Sequence, residues 1–311
     1  MVDYFDYLYT SIVNKNKFLE RIRYYSIVRF TIRLFTNIIF PIYFVLTKEN
    51  KRYSLDEESH KNEGRIIVSL TTFPTRIGRV WLVIETILRQ TKKPDKIILW
   101  LSMEQFPTLY LLPPILLRQK ERGLDIRLVK GDIRSHKKYY YTLQEFPNDY
   151  LLTVDDDIFY RTNMIEDLFN ISQKYPTSII CQRALFIEYV NEKIKPYSEW
   201  KLVYSEMESN CKIFFTTGGG TLLPPRVLYK DTLDEQIFLK LAPFADDIWL
   251  NVMSRLKGTN IVKTKYYTEA LPIINLNNIT LASKNLGENY NDIQINDLTS
   301  HYKQVIGVNL F

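Results

Sequence analysis

The 311-residue sequence is poor in cysteine, with only Cys181 and Cys211. Two thiols are too few for a disulfide framework, and their spacing fits no zinc motif. Each is expected to pack as a small apolar side chain, in keeping with a reducing compartment. Long apolar runs are also missing. The longest uncharged piece of the N-terminal apolar region, Leu34–Thr47, has 14 residues, short of the roughly 20 that span a bilayer. No small-residue cleavage pattern marks a secretory signal. The phosphate-loop spacing GxxxxGK[ST] is absent, as are internal repeats and long low-complexity tracts. There is no distributed basic excess either. The net charge is +6, but residues 1–52 alone carry +5, from nine Lys/Arg against four Asp/Glu. The rest of the chain carries only +1, which argues against nucleic acid as a partner.

What is present is ordinary globular composition, 46% hydrophobic and 24% charged, enough for one large α/β domain or two small ones. The 22 Tyr and 17 Phe suit contacts with sugar rings as well as a normal core. Residues 1–61 stand apart. Tyr24–Thr47 is apolar and aromatic, interrupted by Arg29 and Arg33. Lys17 and Arg21 share one helical face, as do Arg29, Arg33 and Asn37, while Ile27, Phe30, Leu34 and Ile38 fall largely on another. A basic amphipathic helix of this kind suits a membrane surface; the alternative is a helix packed on the rest of the protein. Residues 48–64 are polar and read as a linker. The expected organisation is a helical, membrane-associated extension over 1–61 and one domain over 62–311. That domain divides into a nucleotide-binding half (62–160), an acceptor half (161–275) and a polar, Asn-rich tail (276–311).

From Arg65 the pattern alternates. Strands are predicted at Arg65–Leu70, Lys96–Leu101, Asp125–Val129 and Tyr150–Val154, and helices at Arg79–Gln90, Ile115–Arg122 and Lys137–Phe146. Further on, helices are predicted at Asn163–Lys174 and Ala245–Leu256, and strands at Ser178–Cys181 and Ile213–Thr217. Such alternation predicts a mainly parallel sheet flanked by helices, with ligands beyond the carboxyl ends of its strands.

Asp155, Asp156 and Asp157 directly follow the apolar run YLLTV. In extended chain Asp155 and Asp157 point to one side and Asp156 to the other. Carboxylates this close repel unless a cation lies between them. Oxygen-only ligands favour Mg²⁺ or Mn²⁺, held by one or two carboxylates together with substrate phosphates. The alternative is a solvated acidic turn.

In its flanks, VDDDIFY resembles the DxD motif of GT-A glycosyltransferases. Ser69–Ser102, with TTFPTR and the turn Gln90, Pro94, Asp95, Ile97, resembles the opening of bacterial enzymes that build capsular and lipopolysaccharide glycans. GDIRSHKKYYYTL and a later ADD complete the ordered set, over roughly Arg65 to Leu256. The resemblance implies a GT-A, Rossmann-like fold and a nucleotide-sugar donor, UDP-linked by default. It places Asp157 on the metal and Asp155 on the ribose or sharing the metal, with Asp156 beside the cofactor. Thr71, Thr72, Phe73 and Arg76 would line the nucleotide pocket. Asp132 would approach the base, and Lys137 or Lys138 the base or the diphosphate.

Glycosyl transfer needs a proton acceptor for the incoming hydroxyl. Asp246 and Asp247 open a predicted helix, where capping is the simpler explanation. The resemblance makes Asp247 the base of an inverting enzyme and Asp246 a supporting contact, though the family more usually has Glu–Asp there. Gly218, Gly219 and Gly220 permit close backbone approach to donor or acceptor, or serve only a tight turn. Trp200 and Trp249 are candidates for sugar stacking, and His301 for a third metal ligand. The rival functions are a haloacid-dehalogenase-like phosphatase, whose DxD belongs near the first strand, a nucleotidylyltransferase, which needs a Gly-rich loop after it, and a non-catalytic sugar-binding scaffold. The reading adopted is a metal-dependent transferase on the cytoplasmic face of the membrane, acting on a glycan or lipid-linked acceptor.

Overall fold

A computed structural model describes residues 1–12, 18, 21–47, 64–209, 211–265, 269–274, 289–308 and 310–311. The predicted linker lies outside these residues apart from Gly64, as does Lys17.

Apolar runs buried on both faces build the sheet. In β1 (Ile66–Thr71) every residue but the last is buried, and in β2 (Lys96–Ser102) every residue but the first. Strands of that kind need cover on both faces. β3 (Leu124–Val129) and β4 (Tyr150–Thr153) complete a parallel set in the order β3-β2-β1-β4. The chain moves outward from β1 to β3 and then returns to the other side of β1. The crevice above β1 and β4 is therefore the switch point at which such sheets bind ligands.

The sheet continues beyond β4 through β5 (Ile179–Cys181), β6 (Met207–Ser209), β7 (Thr221–Leu223) and β8 (Ile261–Lys263), giving β6-β8-β5-β7-β4-β1-β2-β3. β7 is antiparallel to both β4 and β5, and β8 is parallel to β5. Four of the seven pairings are parallel. The result is the expected α/β architecture, a mainly parallel sheet flanked by helices, with N-terminal helices added.

The helices that matter for the site are α1 (Val2–Thr10), α2 (Tyr24–Leu46), α3 (Val80–Leu88), α4 (Lys137–Glu145), α5 (Met164–Ser172), α6 (Asp246–Lys257) and α7 (Tyr290–Ile306). One core joins β1 and β2 to α3, α5 and the inner residues Phe40 and Phe44 of α2. The other joins β5 to α4, α6 and α7 through Tyr139, Trp249, Leu298 and Tyr302. Between α4 and the sheet a buried polar contact is fully paired. The Trp100 indole donates to Ser69 Oγ (3.1 Å) and Thr142 Oγ1 (2.9 Å), and those hydroxyls lie 2.8 Å apart.

Three features depart from the sequence reading. The predicted strand at Ile213–Thr217 forms as Ile213–Phe215, but in a separate small sheet with Ala184–Phe186. The glycine-rich turn leads straight into a central strand, β7, that polarity did not reveal. The polar tail contains α7, whose Ile295, Leu298 and Tyr302 are buried. Ile295, Leu298 and Tyr302 follow one another at three and then four positions, so a narrow apolar stripe suffices to dock it.

The packed alternative for the N-terminal helix is realised on one face. Phe40 and Phe44 are fully buried, and the Phe40 ring meets Phe159 edge-on at 4.8 Å. Arg89 donates to Thr47 Oγ1 at 3.0 Å and lies over the Phe44 ring. Phe40→Ala is expected to cost about 3 kcal/mol in urea unfolding; an unchanged midpoint would show that α2 does not dock.

Candidate functional site

The acidic run follows β4 at the switch point. Its middle member turns inward. Asp156 accepts from Thr72 Oγ1 at 2.5 Å and from Arg76 at 2.6 Å. Burial raises its pKa despite these contacts. Asp156 therefore anchors the loop after β1. Arg76 also reaches Asp157 at 2.9 Å and lies 5.0 Å from the Phe73 ring centre. Thr71 stands apart from this contact, donating to the Trp100 carbonyl at 2.8 Å.

Asp155 faces the other way. Its Oδ1 accepts from Lys138 Nζ at 2.7 Å. The same ammonium lies 3.0 Å from Asp246 Oδ2 and 3.1 Å from Thr217 Oγ1, and Thr217 in turn donates to Asp246 at 2.8 Å. One buried lysine on α4 thus joins the end of β4 to the start of α6. The two carboxylates outweigh burial and raise the Lys138 pKa. They keep it charged, and Lys138 with its neighbours lowers that of Asp246 against the opposing effect of burial.

Lys137 points elsewhere. It pairs with Asp132, which also accepts from Gln105 at 2.7 Å and from the Arg134 backbone at 3.0 Å. The two adjacent lysines therefore have separate tasks, a consequence of the 100° step between helical neighbours. His136 is fully buried, its Nε2 donating to the Ala242 carbonyl and its Nδ1 accepting from Tyr139, both at 2.8 Å. Burial pulls its pKa down to about 4, so it is neutral.

The three glycines answer packing needs. A Cβ on Gly218 would sit 1.7 Å from Asp155 Oδ2. A Cβ on Gly219 would meet that of Arg183 at 2.5 Å, and Gly220 has φ +90° with Met164 Sδ 2.7 Å from its missing Cβ. Tyr160 locks this contact: its hydroxyl donates to the Gly218 carbonyl at 2.5 Å and accepts from the Asp155 N–H at 2.8 Å. Tyr160, Thr217 and Arg183 escaped the sequence reading. Tyr160 is the last residue of VDDDIFY and Thr217 directly precedes the glycines, so position within the motifs was the available signal.

Asp247, beside Asp246 at the start of α6, is half-buried. Burial first and the charge of Asp246 second push its pKa up to about 7. Tyr197 lies near enough for Asp247 to raise its phenol pKa, after burial. Trp200 and Trp249 do not present rings for stacking. Both are buried, and their indoles donate to the carbonyls of Lys195 and Thr232 at 3.0 Å. His301 contacts the Tyr302 ring on α7.

Among the described residues no group of three or more His, Cys, Asp or Glu is arranged to enclose a metal ion. His301 accordingly joins no such cluster. The acidic site nevertheless gathers the oxygen-only donors that suit a divalent cation of the phosphate-sharing type. Among the described residues, Lys138 and Arg76 are the cations paired with Asp155, Asp156, Asp157 and Asp246. Burial first and then the Asp155 charge push Asp157 up to about 7, against the opposing charge of Arg76. Asp155 and Asp157 each commit one oxygen to a cationic side chain.

No family model matches the chain, and no curated protein does. Among solved structures, the crystal structure of S. aureus TarS 1–349 is similar at 13% sequence identity with a TM-score of 0.43, over 78% of this chain and 72% of that one. So loose a superposition says nothing of chemistry.

Lys138→Met should destabilise the protein by about 3–5 kcal/mol, because it leaves Asp246 buried without its cation. Chemical denaturation reads this directly, and a neutral result would remove Lys138 as the joint between the two acidic motifs.

Proposed function

We propose that the protein is a metal-dependent, inverting glycosyltransferase that moves a sugar from a nucleoside-diphosphate donor, most simply a UDP-sugar, to a glycan or lipid-linked acceptor. The observation that carries this reading is the Lys138 bridge. It brings a carboxylate cluster suited to a metal and diphosphate beside a carboxylate suited to proton abstraction, at the switch point of the sheet.

Asp157 and Asp155 would hold Mn²⁺ or Mg²⁺, which supplies Lewis-acid neutralisation of the departing diphosphate when bound. Asp156 acts at one remove, by fixing Thr72 and Arg76. Arg76 is the nearest guanidinium to the acidic run, placed to balance phosphate charge once a cation has taken its share of Asp157. The loop bearing Phe73 offers a ring for the nucleoside. Asp132 and Lys137 form a neighbouring polar patch within reach of the base, already paired to each other.

Asp247 takes the proton of the acceptor hydroxyl. A general base works best when its pKa lies near the working pH, and burial beside Asp246 sets Asp247 there. Asp246 has the complementary role. Held ionised by Lys138 and Thr217, it keeps negative charge beside Asp247 and so strengthens it as a base. A phosphatase would use the first acid of the run as nucleophile and would leave Asp247 without a task.

Calorimetric titration with UDP in the presence of Mn²⁺ should show binding that EDTA abolishes. Asp157→Asn should weaken it at least about tenfold, equivalent to 1.4 kcal/mol. Asp247→Asn should bind UDP normally and lose transfer. Full transfer activity in both variants would sink the assignment.

The pH profile is a separate check. Only ionised Asp247 accepts a proton, and its pKa is raised to about 7. Turnover with a UDP-sugar should therefore climb as pH rises through about 7 and level off above it. A rate that stays flat from pH 5 to 8, about two units below to one above that value, would exclude Asp247 as the base.

A further inference from the structure

α2 is apolar on both sides. Its inner face carries Phe40 and Phe44 together with Thr36, Asn37 and Arg29, and its outer face carries an apolar stripe. Asn37 is buried and donates to the Pro272 carbonyl at 3.0 Å while accepting from the Ile274 N–H at 2.8 Å. Arg29 pairs with Glu269 at 2.9 Å and donates to the Ile12 carbonyl at 2.7 Å. Ile27, Phe30, Leu34, Ile38, Ile42 and Val45 face outward, each 46–59% exposed. Their spacing of three or four residues lines them along one face of a 23-residue helix, about 34 Å long at 1.5 Å per residue. A continuous apolar stripe of this length is not left to water without an occupant.

We propose that this stripe lies in the interface of an anionic lipid bilayer, with α2 parallel to the membrane plane. Charge complementarity selects the occupant. The basic excess of the chain is confined to residues 1–52, and Arg21 and Arg23 are exposed where α2 begins. Basic side chains beside an apolar stripe match anionic headgroups above acyl chains. Tyr4 and Tyr7 on α1 are 61% and 67% exposed, and α1 is held to α2 by Phe5, whose ring lies 5.4 Å from Phe35 and 5.9 Å from Phe40. Tyrosine is favoured at the level of the headgroups.

By length and composition α2 is also apolar enough to cross a membrane. Crossing would tear Asn37, Phe40 and Phe44 from their partners, leaving buried polar groups of the domain unpaired. Lying flat keeps every one of those contacts.

The same helix reaches the acidic site. The backbone held by Asn37 includes Ile273, whose N–H donates to the Asp157 carbonyl at 2.7 Å. The docking face and Asp157 are therefore two hydrogen-bonded steps apart. If the acidic site transfers sugar as proposed above, docking presents it at the membrane surface, where a lipid-linked acceptor is found. The docking itself is independent of that reading.

The test is co-sedimentation of the whole chain with vesicles of phosphatidylcholine alone and of phosphatidylcholine mixed with phosphatidylglycerol. The protein should bind the mixed vesicles, more weakly as salt increases, and should leave them on an alkaline carbonate wash. The double variant L34E/I38E should bind at least about tenfold more weakly, with unchanged thermal unfolding and unchanged UDP titration without vesicles. Equal binding of variant and wild type would overturn the proposal, as would resistance to carbonate, which marks a spanning helix. A lipid-free dimer abolished in the variant, with no vesicle binding, would assign the stripe to a second copy instead.

Discussion

Everything chemical in this protein depends on a buried ammonium. Lys138 sits between Asp155 and Asp246, which lie some ninety positions apart in sequence, one just after β4 and the other at the start of α6. A lysine in this setting stays charged because two carboxylates repay its desolvation, and it in turn lowers the pKa of the buried Asp246. Take the lysine away and Asp246 becomes expensive to bury. The contact thus fixes both the geometry and the ionisation of the site.

The sheet supplies the frame for that contact. β1 ends in the loop that carries Thr72 and Arg76, and β4 ends in the acidic run; the two strands are hydrogen-bonded neighbours. Asp156 closes the gap between those ends, so Arg76 is held over Asp157. On the far side, β7 lies against β4 and brings Gly218 under Asp155. Only a residue without a Cβ allows that carboxylate to turn towards Lys138. Gly218 is therefore required by the acidic run before any ligand arrives.

The N-terminal helices are part of the same body. Asp3 on α1 accepts from the Thr162 N–H at 2.8 Å, and Asn37 on α2 stitches 272–274 to the helix. These polar contacts face inward, where the sheet's loops have unpaired backbone groups to offer. The apolar stripe is left facing outward as a result. A surface helix that leaves an apolar stripe facing outward is stable in water only at a cost, and that cost is what an apolar environment would relieve.

The sequence alone determined the alternating strands and helices from Arg65 to Val154 and several elements beyond, most with ends displaced by a residue or two, because apolar periodicity reports burial directly; it missed β6 and the helix Glu235–Leu241. It also determined the acidic motifs, since Asp–Asp–Asp after a buried strand and Asp–Asp before a helix are local patterns. It did not give β7, hidden behind glycines, or α7, whose apolar stripe is thin in a polar segment. Nor did it separate Lys137 from Lys138, assign Asp156 to Arg76, or show that Trp200 and Trp249 are core residues. Those outcomes rest on which side chains meet across long stretches of chain, and local pattern carries no record of that. The pKa of Asp247 is the clearest case. Its identity is written in the sequence, but its elevation to about 7 comes from burial beside an Asp246 that a distant lysine keeps ionised, and only the tertiary structure decides that.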